Sequence, residues 1–163
     1  MQIETNFDFA AKKIERTPYG RVVAMAGINS TEKHVVLEQY ALHQGWHLEY
    51  DLSDEVYSTD FGVILTEDSQ EIVYVDEKIE NMTGYSLAQM EYRNPRFLQG
   101  LKSDRKVVQV MREALDKAEP FEIQITNYTE DNKPYLVLIR CYPILDPDGK
   151  VIHFLSFERE VRD

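Results

Sequence analysis

Apolar positions follow two regimes along the chain, divided near residue 60. Over the first fifty residues they recur at helical spacing. Phe7, Ala10, Ala11 and Ile14 share one helical face, which predicts a short helix broken by Pro18-Tyr19-Gly20. A second helix is predicted from near Ser30 to Gly45. Asn29 and Glu32 have capping-box spacing, and Val36, Leu37, Tyr40 and Ala41 form the apolar side. A helix of that length is marginal alone, so its apolar face needs a partner surface.

From Phe61 the pattern becomes that of strands. FGVILT (61–66) and EIVYV (71–75) are short and rich in β-branched and aromatic residues, with a polar turn around Asp68. DEKIENMTGYSLAQM (76–90) reads as helical: Asp76 caps it, Ile79 and Met82 face inward, and Gly84 stops its first segment. A longer helix is predicted over 103–120, with Val107, Val108, Met111, Ala114 and Leu115 on one face, Ser103 as cap and Pro120 just past the end. Three strands close the chain, FEIQITNYT (121–129), KPYLVLIRCYPIL (133–145) and KVIHFLSFERE (150–160), separated by turns at Asp131-Asn132 and Pro147-Asp148-Gly149. The order β-β-α-α-β-β-β predicts an α+β domain, an antiparallel sheet with short helices gathered on one face. Residues 1–50 are expected to form a helical extension and 51–163 the domain proper.

Alternation sorts the strand residues into two faces. Val137, Ile139 and Cys141 share one, with Phe154, Ser156 and Glu158 alternating likewise on the last strand. Leu138 and Tyr142, and Leu155 and Phe157, belong to the other. Both faces are apolar. One should meet the domain's own helices and enclose a core or a ligand pocket. The other, left in water, is an association liability. Either the N-terminal helices or a second copy of the chain covers it, and a homodimer through this face and those helices is expected.

Composition narrows the function. Hydrophobic residues make up 43% of the 163, enough for a core. The formal net charge of −11 disfavours contact with a phosphate backbone, so no nucleic-acid partner is expected. Cys141 is the single cysteine, which excludes an internal disulfide. His43 and His47 are spaced i, i+4 but flank Gln44-Gly45-Trp46, with no acidic residue between them, so no metal site is expected. The N-terminus lacks the basic flank and apolar core of a signal peptide, and no apolar run approaches a membrane span; a cytoplasmic, membrane-free protein is expected. No Gly-rich phosphate loop, GxSxG, metal box or nucleophile with an adjacent base is present, so no enzymatic activity is expected.

The stretch YVDEKIENMTGYSLAQMEYRNPRFLQG (74–100) resembles the PAS domain signature, with TGYS (83–86) and NPRFLQG (94–100) its most specific parts. The resemblance runs through SDR (103–105), MREAL (111–115), QITNYT (124–129) and DPDGKV (146–151). It is strongest to the phototropin-type LOV (light-oxygen-voltage) domains, whose hallmark GxNCRFLQ carries a cysteine that attacks a photoexcited flavin. Pro95 stands at that position, and proline has no thiol. The resemblance implies flavin-contacting roles for Asn94, Arg96, Gln99 and Asn127 and a pocket role for Thr66. It also implies two departures: Val137 where LOV domains have a second ring-binding asparagine, and Glu158 where they have a glutamine. Val137 makes no hydrogen bond, and an ionised Glu158 accepts but does not donate.

Two functions follow from the resemblance. The first is a sensory, signal-transducing PAS module that responds to a ligand or partner by changing its dimer contacts. It acts on a signalling partner in trans or as part of a longer protein. The alternative is a flavin-binding (FMN or another flavin) photoreceptor or redox sensor without the cysteine.

Overall fold

In the computed structural model, residues 7–19 and 32–162 are described. The N-terminal region departs from the expected run of helices. Helix α1 covers only Phe9–Lys12, with Asp8 Oδ1 accepting the amide of Ala11 at 3.1 Å. Strand β1 (Lys13–Pro18) follows at once, so Ile14 lies on a strand instead of a helical face. One helical turn is too short to sustain itself, whereas a β-branched stretch gains from pairing. Its partner is β2 (His47–Tyr50), through Lys13↔Tyr50, Thr17↔Leu48 and Pro18↔His47. Between them lies α2 (Glu32–Gln44), which ends at Gly45 with φ of +66°. Of the expected break, Pro18 ends β1 and Tyr19 is buried, while Gly20 lies outside the described residues, as do Asn29 and Ser30 of the expected helix start. His47 is on β2, so it shares no helix face with His43.

The remaining elements follow the sequence pattern closely. After α3 (Ser53–Tyr57) come β3 (Gly62–Glu67) and β4 (Ile72–Val75). Asp76 Oδ1 caps α4 (Glu77–Thr83) by accepting from Ile79 N at 3.1 Å, and it also accepts from Val63 N at 3.1 Å, tying the helix to β3. Gly84 stops α4 in the left-handed region at φ 78°. Ser86 and Gln89 form a capping box on α5 (Leu87–Met90). A 3₁₀ turn, Pro95–Leu98, precedes α6 (Arg105–Asp116). The cap of α6 is Asp104, one residue later than expected. Ser103 instead donates to the carbonyl of Thr126 at 2.6 Å and accepts from Gly100 N at 2.9 Å, which fastens the loop to the sheet.

Strands β5 (Phe121–Tyr128), β6 (Pro134–Leu145) and β7 (Val151–Glu160) complete the sheet. Five antiparallel strands run in the order β4-β3-β7-β6-β5, and β2 joins the far end of β6 through His47↔Leu145, bringing β1 with it. The N-terminal extension is thus part helix, part strand, and the sheet has seven strands. No helix among the described residues is long and apolar enough to cross a membrane.

Each face of the sheet has its own core. On the inner face, Val107 and Ala114 of α6 pack with Phe121, Ile123, Ile125, Val137, Ile139 and Phe154. On the outer face, Leu37 and Ala41 of α2, Trp46, Leu48, Leu52 and Val56 pack with Tyr142, Leu155 and Phe157. Of the two covers that the sequence leaves open, the chain supplies its own. Leu138, Tyr142, Leu155 and Phe157 are all buried.

A polar network pins this cover. Glu55 on α3 is fully buried, and its carboxylate accepts from Lys12 Nζ at 3.0 Å, Arg140 Nη1 at 2.9 Å and the Tyr142 hydroxyl at 2.9 Å. Arg140 also holds Glu122 at 2.8 Å. Lys33 on α2 is buried and donates to the carbonyls of Glu55, Ser58 and Phe61 at 2.7–3.0 Å. Removing one member leaves the others desolvated without a partner. Glu55→Ala should therefore lower stability by about 3–5 kcal/mol in urea titrations, with Lys12→Ala costing less because Lys12 remains partly exposed. A change near zero for Glu55→Ala would show that the network is dispensable.

Candidate functional site

The inner face of the sheet does not close completely. Between it, the 3₁₀ turn and α6 lies a cavity of about 310 Å³. Its walls are apolar: Leu98, Val108, Met111, Leu115, Phe121, Ile139 and Phe154. Exposed Ser69, Arg96, Arg112 and Asp116 mark its mouth, while buried Thr66, Asn127, Cys141 and Glu158 line its interior. An apolar chamber with a few convergent polar groups is the usual form of a small-molecule site.

The strand register explains the convergence. Thr66 on β3 opposes Phe154 on β7, Cys141 on β6 opposes Ser156, and Ile139 opposes Glu158, so these side chains alternate onto one face. Asn127 reaches the same space from β5, where an isolated bridge to Gln99 joins the strand to the end of the 3₁₀ turn. Asn94 caps that turn, its Oδ1 accepting from Arg96 N at 3.0 Å and its Nδ2 meeting Gln70 Oε1 at 3.5 Å. Thr66, Asn94, Arg96, Gln99, Asn127 and Glu158 all line the cavity, as does Pro95. Val137 does not line it. It is fully buried in the inner apolar cluster, paired with Ile125 and Glu160. Among the described residues Arg96 makes no ion pair and stays exposed at the mouth.

The electrostatics change the reading of Glu158. Burial pushes its carboxyl up to about 8, with the nearby charge of Asp76 adding to the rise. The group is therefore mostly neutral at pH 7 and offers one donor as well as an acceptor. The lack of a donor, which holds for the ionised form, is lifted by the protein's own interior. Glu158 Oε2 and Asn127 Oδ1 are both buried without a hydrogen-bond partner among the described residues. Each such orphan costs roughly 1–3 kcal/mol. Cys141, in the same cavity, has its thiol pushed up to about 12 by burial, so it holds little thiolate character.

Comparison with known proteins fixes the family. The PAS domain profile matches residues 60–163, well over half of the chain. The chain belongs to the PAS domain family. Over 100 residues this PAS domain is 34% identical to a nitrogen fixation regulatory protein of Klebsiella oxytoca, covering 61% of this chain and 20% of that protein. Over 90 residues it is 39% identical to Phototropin-2 of Oryza sativa subsp. japonica, covering 55% of this chain and 10% of that protein. The chain thus spans a fifth or less of these curated relatives. A solved LOV domain, from a blue-light activated histidine kinase of Erythrobacter litoralis, superposes with a TM-score of 0.60 at 30% identity, covering 65% of this chain and 100% of that one. The PAS domain is a LOV-like sensory signalling domain.

Sequence reasoning found the polar lining of the PAS cavity but missed most of its wall. Met111 and Leu115 were legible only as a helical apolar stripe, and Phe121 and Phe154 only as strand residues. Whether such residues fill a core or stop short of filling it depends on how far α6 stands from the sheet, which no local pattern encodes.

The titration of Glu158 carries a signed consequence. A raised carboxyl stabilises the fold in its protonated form, fully below the ordinary value of 4.5, and that contribution is lost as pH rises through about 8. Glu158→Gln cannot ionise. Its stability relative to the native chain should therefore rise as pH increases across that window, measured by paired urea titrations at the two ends. A relative gain toward acid pH would contradict the assignment.

Proposed function

We propose that the chain is a sensory PAS module in which occupancy of the inner cavity is transmitted through the sheet to the N-terminal elements, and that it acts as a homodimer without forming a cysteinyl-flavin adduct. The observation that carries this reading is the double use of β6 and β7. Cys141, Ser156 and Glu158 face the cavity, while their immediate neighbours Tyr142, Leu155 and Phe157 support the outer cover. A change in occupancy that shifts these strands alters both packings together, as a two-state switch requires.

Because the outer face is covered by the chain itself, the dimer contact falls to the outside of α2. Leu42 is 73% exposed and Val35 43%, seven residues apart on one helical face. Sedimentation at tens of micromolar should show a dimer for the native chain and a monomer for Leu42→Asp. A native chain that sediments only as monomer removes the dimer from the reading.

The absence of adduct chemistry rests on Pro95, which lines the cavity at the position where the LOV resemblance expects the reactive cysteine. The one other thiol, Cys141, is buried on β6 with little thiolate character. No enzymatic role is assigned.

A flavin-binding sensor without the cysteine is the second reading, favoured by the gathering of Thr66, Asn94, Arg96, Gln99, Asn127 and Glu158 around one cavity. Reconstitution with FMN should distinguish the two. A colourless protein after reconstitution excludes the second reading. A yellow protein supports it, and light should then produce no reversible bleaching of the kind an adduct gives.

A further inference from the structure

Charge is unevenly placed along the chain. Residues 93–112 carry six basic residues, Arg93, Arg96, Lys102, Arg105, Lys106 and Arg112, and one acid, Asp104. That segment has a net charge of +5 in a chain of −11, which leaves −16 for the remainder. All six cations are exposed, and among the described residues none makes an ion pair. Basic residues elsewhere are held: Lys12, Lys33, Lys133, Arg140 and Arg162 each meet a carboxylate or carbonyl oxygen. Asp104 is already engaged as the cap of α6, accepting from Lys106 N at 2.8 Å. Arg93 lies over the Phe97 ring at 3.6 Å, a contact that uses none of its N–H donors.

Local stability does not account for this placement. Arg105 and Lys106 open α6, where positive charge opposes the helix dipole, and the first turn of that helix holds no acid. Just before them in the chain, Leu101 is 99% exposed although its loop is fixed. Ser103 ties the loop to the carbonyl of Thr126 on β5, and Lys102 N donates to the Tyr128 hydroxyl at 2.9 Å. Gly100 lies so close to the Tyr128 ring that a Cβ there would overlap it. A held loop that presents a leucine to water among unpaired cations is preorganised for contact with another molecule.

The complement of such a surface is acidic and brings an apolar side chain for Leu101. A long polyanion such as a nucleic acid would run past the segment onto a surface of its own sign, whereas a short acidic peptide meets the cations alone. A second copy that offered its acidic surface here would make a head-to-tail contact, which does not close into a dimer. We propose that residues 93–112 form a docking surface for an acidic segment of a partner protein, with Leu101 as the apolar anchor. This goes beyond the sensory reading, because it names the surface and the chemistry of a partner and requires nothing in the cavity.

The test is fluorescence anisotropy of the full chain with a labelled peptide of about twelve residues, Asp and Glu around a central pair of Leu, and with its amide analogue of Asn and Gln. At about 50 mM salt the acidic peptide should bind at least about tenfold more tightly than the analogue, and about 300 mM salt should remove most of that difference. Arg105→Glu with Lys106→Glu, checked for folding by circular dichroism, should lose about tenfold or more. Lys13→Glu with Lys150→Glu changes the net charge equally at exposed positions outside the segment, and should stay within about threefold. Leu101→Ser should weaken binding several-fold and leave its salt dependence unchanged. Equal affinity for the two peptides, equal losses in the two double variants, or tighter binding of a single-stranded oligonucleotide of about twelve nucleotides would each overturn the proposal. So would loss of the sedimenting dimer in the Arg105→Glu, Lys106→Glu variant, which would assign the surface to a second copy. A native chain that is monomeric fails the sensory reading and leaves the peptide measurement standing.

Discussion

Neither face of β6 and β7 tolerates water, and that constraint shapes the molecule. Leu138, Tyr142, Leu155 and Phe157 alternate with Val137, Ile139, Cys141 and Phe154, so burying one set turns the other outward. A sheet of this kind needs a cover on each side. On the inner side the cover is α6 with the 3₁₀ turn. On the outer side it is the N-terminal segment, which accounts for the described residues before β3 folding back across the sheet. The β1–β2 pair extends the sheet from the end of β6 and holds Trp46 and Leu48 over it.

The two covers differ in how firmly they are held. The outer one combines apolar packing with directed polar contacts. Besides the Glu55 network, Trp46 Nε1 donates to His153 Nδ1 at 3.1 Å, which places the His153 proton on Nε2, toward Glu67. Burial lowers His153 to about 4, so that arrangement persists across the neutral range. The inner cover is mostly apolar and leaves a chamber. The two sides of the sheet therefore differ: an outer layer held by directed polar contacts and an inner one that encloses space.

How far the fold was legible follows from which forces are local. Asp76, Gly84 and Gly149 mark caps and turns because their backbone roles are set within a few residues, and the structure uses them as the pattern implies. The alternation of the last three strands was legible for the same reason. The cap at Asp104 was misread because Ser103 and Asp104 are both good caps, and the choice turns on a distant acceptor, the carbonyl of Thr126. Strands β1 and β2 were missed because each is stabilised by pairing with residues some thirty or more positions away. At the site, the polar positions were visible through the family resemblance. The protonation state of Glu158 was not, since it depends on burial that only the assembled chamber creates.

Two buried acids on the two sides of the sheet are held in different ways. Glu55 and Glu158 are 0% and 3% exposed, so desolvation bears on both. Glu55 meets two cations and a hydroxyl, all from this chain, and every one of those contacts fastens the N-terminal cover. Glu158 meets none of these, and its Oε2 is buried without a hydrogen-bond partner among the described residues, at the margin of the inner cavity. A purely structural role would favour replacing such a group with an apolar one, because an unpartnered buried acid weakens the fold. The strand that carries it also carries Phe157, which packs in the outer core.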